Sequence, residues 1–324
     1  MSLFYHQINE RTFNTFLPYA KELLLSPEKN YLFDLSYLTC LQVIGEQARD
    51  FLQGQLSCDI RQVTTNEIRQ GSMCNLKGRV LALMDVIFSE HHGLNLVLPK
   101  DLLSPTEASL AKTAMLSRVT LQLVPEFEVF GFYLQNLDES LPLPISYPNA
   151  PLGVVSDEDY LVYHLGQHFY IMLIKTDKAQ SIRHQFIQQS QYLGSLTWHT
   201  LQLRQKRIEI YASSRGLFLP HRLHLHLSGH IDFNKGCYKG QEIIARTHYR
   251  ATLKHELKLF TIHTDEMLKS GQKLFSLPSH QEVGELIDFS PIDEQTYLIA
   301  ASVFFEHPTT VLIEGHKNEV TLLP

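Results

Sequence analysis

A cysteine between two lysines and two glycines is the part of the sequence best suited to chemistry. Cys237 lies in the run Lys-Gly-Cys-Tyr-Lys-Gly-Gln-Glu, with Lys235 and Lys239 two residues to either side of it. Nearby cations and the N-terminus of a following helix both favour the thiolate over the thiol. Gly236 and Gly240 allow backbone conformations and close approaches that other residues do not. The sequence therefore predicts a reactive thiol here rather than a buried, inert cysteine.

A helix is expected to hold this loop in place. The segment from Gln241 to Tyr249 follows the motif and has a helical pattern. Glu242 and Arg246 stand four residues apart, so they are neighbours on a helix surface, and Arg250 extends the same face.

The whole chain has the composition of an ordinary globular protein. Its 324 residues exceed one typical domain, and 44% hydrophobic with 19% charged residues is enough to build real cores. A net charge of −6 and a pI near 6.3 argue against a direct nucleic-acid partner, which usually requires a basic surface. No signal peptide or membrane span is recognised, and four separated cysteines without a CxxC pair fit the reducing cytoplasm.

The order of apolar and turn residues predicts alternating sheets and helices. A hairpin is expected around Lys77–Arg79, a helix capped by Ser104, a helix capped by Asp177, and a helix from Ser195 to Arg207. From Thr252 onward, short evenly spaced strands indicate a small closed barrel. His224 and His226 would share one strand face, but no carboxylate or thiolate completes a zinc-type set, so no metal site is predicted.

The motif around the cysteine resembles the signature of a known family. Asp232 to Glu242, followed by Arg246 and Arg250, is similar to the signature of the YgfZ family of folate-binding, GcvT-like proteins that support iron–sulfur cluster assembly and repair. The block Ala48–Asp59 and the Lys-Gly-Arg turn resemble the family as well. The resemblance implies an α+β fold: a GcvT-like body and a small C-terminal β-barrel.

The resemblance also implies a division into three domains. We expect an N-terminal GcvT-like α+β domain over residues 1–140, a second α+β domain with the cysteine motif over 141–250, and the barrel over 251–324. The proline-rich stretch 141–151 is a candidate linker, because its prolines cannot join a central sheet.

A folate site is implied around the only tryptophan. Trp198 and the leucines after it resemble a family segment whose tryptophan lines the folate site, although a tryptophan at helical spacing also suits a core. The chain has Arg204-Gln205-Lys206 where the family commonly has an acidic or amide residue followed by Ala-Gly. It also has Leu38 beside Tyr37 where some members carry a second ring. We therefore expect weak binding of tetrahydrofolate, with Arg204 available to its glutamate carboxylates.

The function implied is a folate-linked accessory factor for iron–sulfur proteins or their assembly machinery, with indirect effects on tRNA modification. In that interpretation Cys237 is the reactive or cluster-contacting thiolate, Lys235 and Lys239 raise the local positive potential, and Tyr238 packs beside the pocket.

Three alternatives stay open. A folate-dependent one-carbon transferase needs an acid or base near the folate, and the position that supplies it in T-proteins falls on Ala82 or Leu83. A cysteine hydrolase needs a histidine beside the thiol. A structural scaffold needs neither.

Overall fold

The fold is described by a computed structural model that covers residues 2–136 and 146–324. Helices and mainly antiparallel sheets alternate along it, which confirms the predicted α+β class. The elements before residue 137 are β1 (Phe4–Ile8), β2 (Arg11–Thr15), α1 (Tyr19–Glu22), β3 (Tyr31–Asp34), β4 (Leu38–Ile44), α2 (Ala48–Gln55), β5 (Arg69–Cys74), β6 (Val80–Ser89), β7 (Gly93–Pro99), α3 (Leu103–Leu116), β8 (Thr120–Leu123) and β9 (Phe127–Tyr133).

A second series of elements carries the chain to the barrel. Part of the predicted linker, residues 141–145, lies outside the described residues. The elements that follow are β10 (Val154–Ser156), β11 (Tyr160–Gly166), β12 (Phe169–Lys175), α4 (Thr176–Gln188), β13 (Tyr192–Leu193), α5 (Ser195–Arg204) and α6 (Gln241–Arg250).

The C-terminal part has the predicted short strands, but they form a six-stranded sheet that curls into a half-barrel rather than the closed barrel that was expected. An isolated bridge joins its ends, where Thr261 and Leu323 exchange backbone hydrogen bonds of 2.7 and 3.0 Å. The strands are β14 (His255–His263), β15 (Lys273–Ser276), β16 (Glu282–Asp293), β17 (Thr296–Phe304), β18 (Thr310–Ile313) and β19 (Glu319–Thr321), in the spatial order β14-β17-β16-β15-β18-β19.

Two sheets form the body. One has the order β5-β6-β7-β4-β8, and the other has the order β10-β11-β12-β9-β3-β13. In the second sheet β12 and β3 both pair with β9, so strands from both sides of residue 140 share one hydrogen-bonded ladder. The domain divisions expected at residues 140 and 250 stay predictions.

Helix α5 is the central element. Every residue from Ser195 to Leu203 is buried, because the helix packs against β2 and β3 on one side and against β16 of the barrel on another. A helix without a solvent-facing side needs no amphipathic pattern. This packing holds Trp198 inside the molecule.

Three local expectations are wrong. Helix α3 begins at Leu103 and has no side-chain cap from Ser104, because a 3₁₀ turn over Lys100–Leu102 leads directly into it. Asp177 lies inside the first turn of α4, whose start is fixed by hydrogen bonds from Thr176 to the Glu126 carbonyl. His224 ends a 3₁₀ turn with a φ of 55°, so His224 and His226 do not share a strand face.

Across residues 2–136 and 146–324, none of the helices has both the length and the apolar character that crossing a membrane requires.

Candidate functional site: a tryptophan-lined cavity and an exposed cysteine loop

A cavity of about 450 Å³ opens between β6, the end of α5 and residues 223–230. Three of the side chains predicted for a ligand site, Tyr37, Leu38 and Trp198, line it. Arg204 does not, because α5 ends there with the Arg204 side chain exposed to solvent. A cavity of this size lies within the range of small-molecule and cofactor sites.

Trp198 is both a core residue and a wall of the cavity. Its side chain is 3% exposed, and its ring centroid lies 5.3 Å from that of Phe33 and 5.4 Å from that of Phe169. Gly131 of β9 makes room for the indole, since a Cβ atom there would lie 2.5 Å from Trp198 Cε3. The two interpretations offered by the sequence are therefore compatible.

A buried ionic network ends at Glu209 on the cavity wall. Glu209 Oε2 accepts a hydrogen bond of 2.9 Å from Arg11 Nη1, and Glu209 Oε1 accepts one of 3.1 Å from the Tyr37 hydroxyl. Arg11 also donates to both carboxylate oxygens of Asp101, at 2.9 and 3.1 Å. Burial raises the pKa of Glu209, and the charge of Arg11 opposes that rise. The network fixes the orientation of Glu209 toward the cavity.

A second carboxyl group, Asp85, lines the cavity from β6. Asp85 Oδ2 accepts a hydrogen bond of 2.7 Å from the Tyr163 hydroxyl, and Oδ1 accepts one of 2.8 Å from Gln70 Nε2. Burial raises the pKa of Asp85, and these two donors and the charge of Arg207 oppose the rise. Because side chains alternate along a strand, Asp85 faces the same side of β6 as Leu83, and both line the cavity.

Further polar groups complete the wall. Gln202, one helical turn after Trp198, is buried, and its Nε2 atom has no hydrogen-bond partner among the described residues. Lys206 and Arg207 line the cavity beyond the end of α5. Burial lowers the pKa of His230 to about 4, so its imidazole is neutral at neutral pH. The cavity therefore combines an indole face, two carboxyl groups, a free amide donor and two cations.

Cys237 is the exposed one of the four cysteines. Burial raises the pKa of Cys40 and of Cys58 to about 12 and that of Cys74 to about 11, so these three stay thiols at neutral pH. Only the Cys237 sulfur is accessible to a reagent or a partner in the native protein.

Lys235 anchors the loop rather than flanking the thiol with an exposed charge. Its Nζ atom donates hydrogen bonds of 2.8, 2.6 and 2.7 Å to the carbonyl oxygens of Gln53, Leu56 and Cys58, and the residue is 5% exposed. Two of these carbonyls belong to the end of α2, where helix carbonyls lack intrahelical partners. Burial lowers the pKa of Lys235 to about 8.

The rest of the motif reinforces this anchor. The ring of Tyr238 lies 5.0 Å from Lys235 Nζ and is buried away from the cavity, and the Lys239 backbone N–H donates to the Gly54 carbonyl at 3.0 Å. Gly240 has a φ of 86° and passes so close to Asn75 that a Cβ atom would lie 2.4 Å from its carbonyl oxygen. Gly236 has open space around it, so of the two predicted close approaches only that of Gly240 occurs.

Helix α6 follows the loop as predicted and spans Gln241–Arg250. Within the described part of the chain, no acidic side chain lies within 4.0 Å of Arg246 or Arg250, so the expected pair of Glu242 with Arg246 is not formed. The two arginines are left facing solvent.

The thiol and the cavity are separate features joined by one segment. Cys237 does not line the cavity, whereas His230 does. Ser57 clamps the chain between them, with its Oγ donating to the His230 carbonyl at 2.6 Å and its carbonyl accepting from the Asp232 N–H at 2.9 Å. No histidine of the described residues hydrogen-bonds to the Cys237 sulfur, which removes the support for a Cys–His hydrolase. A search of residues 2–136 and 146–324 for metal sites finds no group of three or more potential metal ligands.

Several cavity residues escape prediction from the sequence. Asp85 interrupts the apolar run of β6, and a lone carboxylate in such a run is a signal that identifies it. Glu209 carries no comparable signal, because its partner Arg11 lies 198 residues away in the chain. Gln202 can be recognised as a cavity residue only once α5 is known to be buried on all sides.

Both the sequence and the fold of this chain are similar to those of known proteins. Proteins described as "tRNA-modifying protein YgfZ" match the chain: 28% identity from Hamiltonella defensa over 68% of this chain and 67% of the relative, 23% from Vibrio atlanticus over 79% and 77%, and 27% from Escherichia coli O157:H7 over 72% of each. No protein-family profile matches. The crystal structure of glycine cleavage system aminomethyltransferase T from Bartonella henselae superposes with a TM-score of 0.74, at 13% identity, over 99% of this chain and 93% of that one. The predicted GcvT-like fold is thereby confirmed.

Proposed function

Because the chain belongs to the YgfZ family, we propose that it is a folate-linked accessory factor for iron–sulfur cluster assembly or repair that acts through Cys237. The observation that carries this proposal is the contrast among the cysteines: one exposed sulfur on an anchored loop, and three buried thiols. Thiolates are the usual protein ligands of iron–sulfur clusters. The cluster is the substrate in this proposal. The Cys237 thiolate would coordinate an iron atom of an intact or a damaged cluster.

The loop around Cys237 suits this task. The backbone on both sides of it is tied to α2, by Lys235 Nζ on one side and by the Lys239 N–H on the other. A thiol on a rigid arch meets its partner without first losing conformational freedom. The free side of the arch, at Gly236 and Cys237, is exposed.

Reduced folate is the ligand that we assign to the cavity. Trp198 offers a face for the pterin ring, Asp85 or Glu209 accepts from its ring N–H groups, and the unpaired Gln202 Nε2 donates to a ring acceptor. Lys206 and Arg207, which line the cavity, would pair with the glutamate carboxylates in place of Arg204. When bound, tetrahydrofolate supplies a carrier of one-carbon units. Affinity is expected to be modest, because Leu38 stands where a second ring would stack.

The proposal also accounts for the description of the relatives as tRNA-modifying proteins. The family resemblance implies that enzymes which thiolate tRNA depend on iron–sulfur clusters. An effect on tRNA modification then follows indirectly, through the supply of intact clusters.

One observation favours a second candidate, a folate-dependent one-carbon transferase. Ala82 or Leu83 stands at the position that supplies the acid in T-proteins, but Asp85 brings a carboxyl group to the cavity from the same strand. Burial raises its pKa, as acid–base work near neutral pH requires. Asp85 is therefore the residue that separates the two candidates.

Both candidate functions can be tested by complementation of cells that lack their own copy of this protein. Growth under oxidative stress, and the activity of an iron–sulfur enzyme in extracts, are measured for Cys237→Ser, Asp85→Asn and the control Cys40→Ser, whose buried sulfur donates to Asn95. We expect Cys237→Ser to fail and Cys40→Ser to grow normally. Normal growth of Cys237→Ser would refute the proposal, and failure of Asp85→Asn alone would favour the transferase.

A further inference from the structure

The outer face of α6 is a groove beside the reactive loop. Arg246, Tyr249 and Arg250 line it together with Glu242, and its volume is about 560 Å³. Residues three and four apart share one helix face, so these side chains point the same way. The helix begins four residues after Cys237, so the thiol is close in the chain to the N-terminal end of the groove.

The groove is cationic although the whole chain is acidic. Arg246 and Arg250 have no acidic side chain within 4.0 Å in the described residues, and Glu242 is the single acid among the groove's lining residues. The turn between β5 and β6 packs against the other side of α6, since a Cβ at Gly78 would lie 3.0 Å from Ile243. The exposed cations Lys77 and Arg79 of that turn lie outside the groove, and Arg79 donates to the Leu217 carbonyl. The groove itself thus presents two arginines without an acidic partner, in a chain of net charge −6.

An aromatic cluster lies beside the two arginines on the same helix. His248 stacks on Phe233 with ring centroids 3.8 Å apart, and Tyr249 meets the His248 ring edge-on at 4.8 Å. Tyr249 is nevertheless 66% exposed. Tyrosine and arginine are the residues most often found at the energetic centres of protein interfaces, and a ring already held by neighbours loses little freedom on binding.

We propose that this groove docks an acidic segment of the protein whose cluster Cys237 serves. The inference rests on the proposed function of Cys237 and names the chemistry of its partner. Acidic side chains of the segment pair with Arg246 and Arg250, and an apolar side chain covers Tyr249. Docking there holds the partner next to the thiol.

A protein segment fits better than RNA. The phosphates of an RNA continue well beyond one groove, and a chain of pI 6.3 repels the remainder. A short acidic segment meets only the local positive charge, so complementarity is confined to the groove.

Fluorescence anisotropy of a labelled twelve-residue peptide of alternating Asp and Leu tests the docking, with the Lys–Leu peptide and a hairpin RNA as comparisons. We expect saturable binding of the acidic peptide that slows alkylation of Cys237. The double variant Arg246→Gln, Arg250→Gln should bind about fivefold to tenfold more weakly, since two exposed ion pairs are lost. The control Lys112→Gln, Lys269→Gln removes two exposed cations elsewhere and should bind as the wild type does.

Three results would overturn the proposal: no binding of the acidic peptide, equal effects of the two double variants, or tighter binding of the RNA with the same dependence on the arginines. Cys237→Ser should bind the peptide normally, because the sulfur is not part of the groove. Failure of docking is thus distinguishable from failure of the proposed function, which the complementation of Cys237→Ser reports.

Discussion

Replacing Lys235 by methionine separates an anchoring role from an electrostatic one. The substitution keeps the length of the side chain but removes the donor to three carbonyl oxygens at 2.6–2.8 Å. Each buried carbonyl left unpaired costs about 1–3 kcal/mol. Against this, Lys235→Met removes the penalty of burying a cation, at most about 3 kcal/mol from a pKa lowered to about 8. With a middle value of about 2 kcal/mol for each of the three carbonyls, we expect a net loss of about 3 kcal/mol in the free energy of unfolding at pH 7.

The same anchor predicts a pH dependence with a definite sign. The pKa of Lys235 is about 8 in the folded protein and 10.5 in its ordinary state, so between these values the unfolded chain binds more protons. Stability of the wild type, relative to Lys235→Met, should therefore rise from pH 7 to pH 9.5 by about 1–2 kcal/mol. Urea unfolding of both proteins at the two pH values measures it, with Lys239→Met as the control.

An electrostatic role would give a different pattern. In that case Lys235→Met and Lys239→Met would shift the pH midpoint of Cys237 alkylation alike, and neither would lower stability by more than about 0.5 kcal/mol, as for ordinary surface changes. Hydrogen exchange at residues 236–237 completes the comparison. Unchanged protection of that loop in Lys235→Met would refute the anchoring argument.

Three further predictions concern the cysteines and the cavity. Native protein treated with iodoacetamide at pH 8 should take up one label, at Cys237, because burial raises the pKa of the other thiols to about 11–12; mass spectrometry showing rapid labelling of Cys58 or Cys74 would contradict this. Gly131→Ala should displace the indole and cost about 1–3 kcal/mol, since the new Cβ lies 2.5 Å from Trp198; the emission of this sole tryptophan reports it, and an unchanged spectrum and stability would count against the packing. Burial raises the pKa of Asp85, so stability should fall as pH rises through that pKa, and Asp85→Asn should abolish this part of the pH dependence; parallel unfolding curves for the two proteins from pH 4 to 8 would refute the assignment.

Local patterns in the sequence are enough to predict most elements near the site. The glycine-bracketed cysteine, the helix after it and the strands of the barrel all appear where expected, because turn residues and short-range periodicity determine them. The α+β class and the likeness to aminomethyltransferase T follow from the same elements together with the family resemblance.

The end of α5 shows how a small error in a predicted helix boundary changes which side chains line a cavity. The sequence predicts a helix to Arg207, whereas α5 ends at Arg204 and Lys206 adopts a φ of 58°. This left-handed residue reverses the chain, so Lys206 and Arg207 reach the cavity while Arg204 stays outside. Helix ends are difficult to predict when no glycine or proline marks them.

Long-range partners account for the remaining differences. In the sequence, Lys235 looks like a cation that simply flanks Cys237. Its three carbonyl partners lie 177–182 residues earlier in the chain. Glu209 depends in the same way on Arg11. No local pattern reports such contacts, and the roles of both residues become visible only in the folded chain.

Calorimetric titration with tetrahydrofolate tests the central claim most directly. The wild type should bind one equivalent, and Gln202→Leu, which removes a donor that has no partner in the described residues, should bind about threefold to tenfold more weakly. Trp198→Ala should weaken binding further through the lost ring face. Arg204→Gln, outside the cavity, should leave the affinity unchanged. Submicromolar binding that survives both cavity substitutions, or that depends on Arg204 instead, would contradict the account.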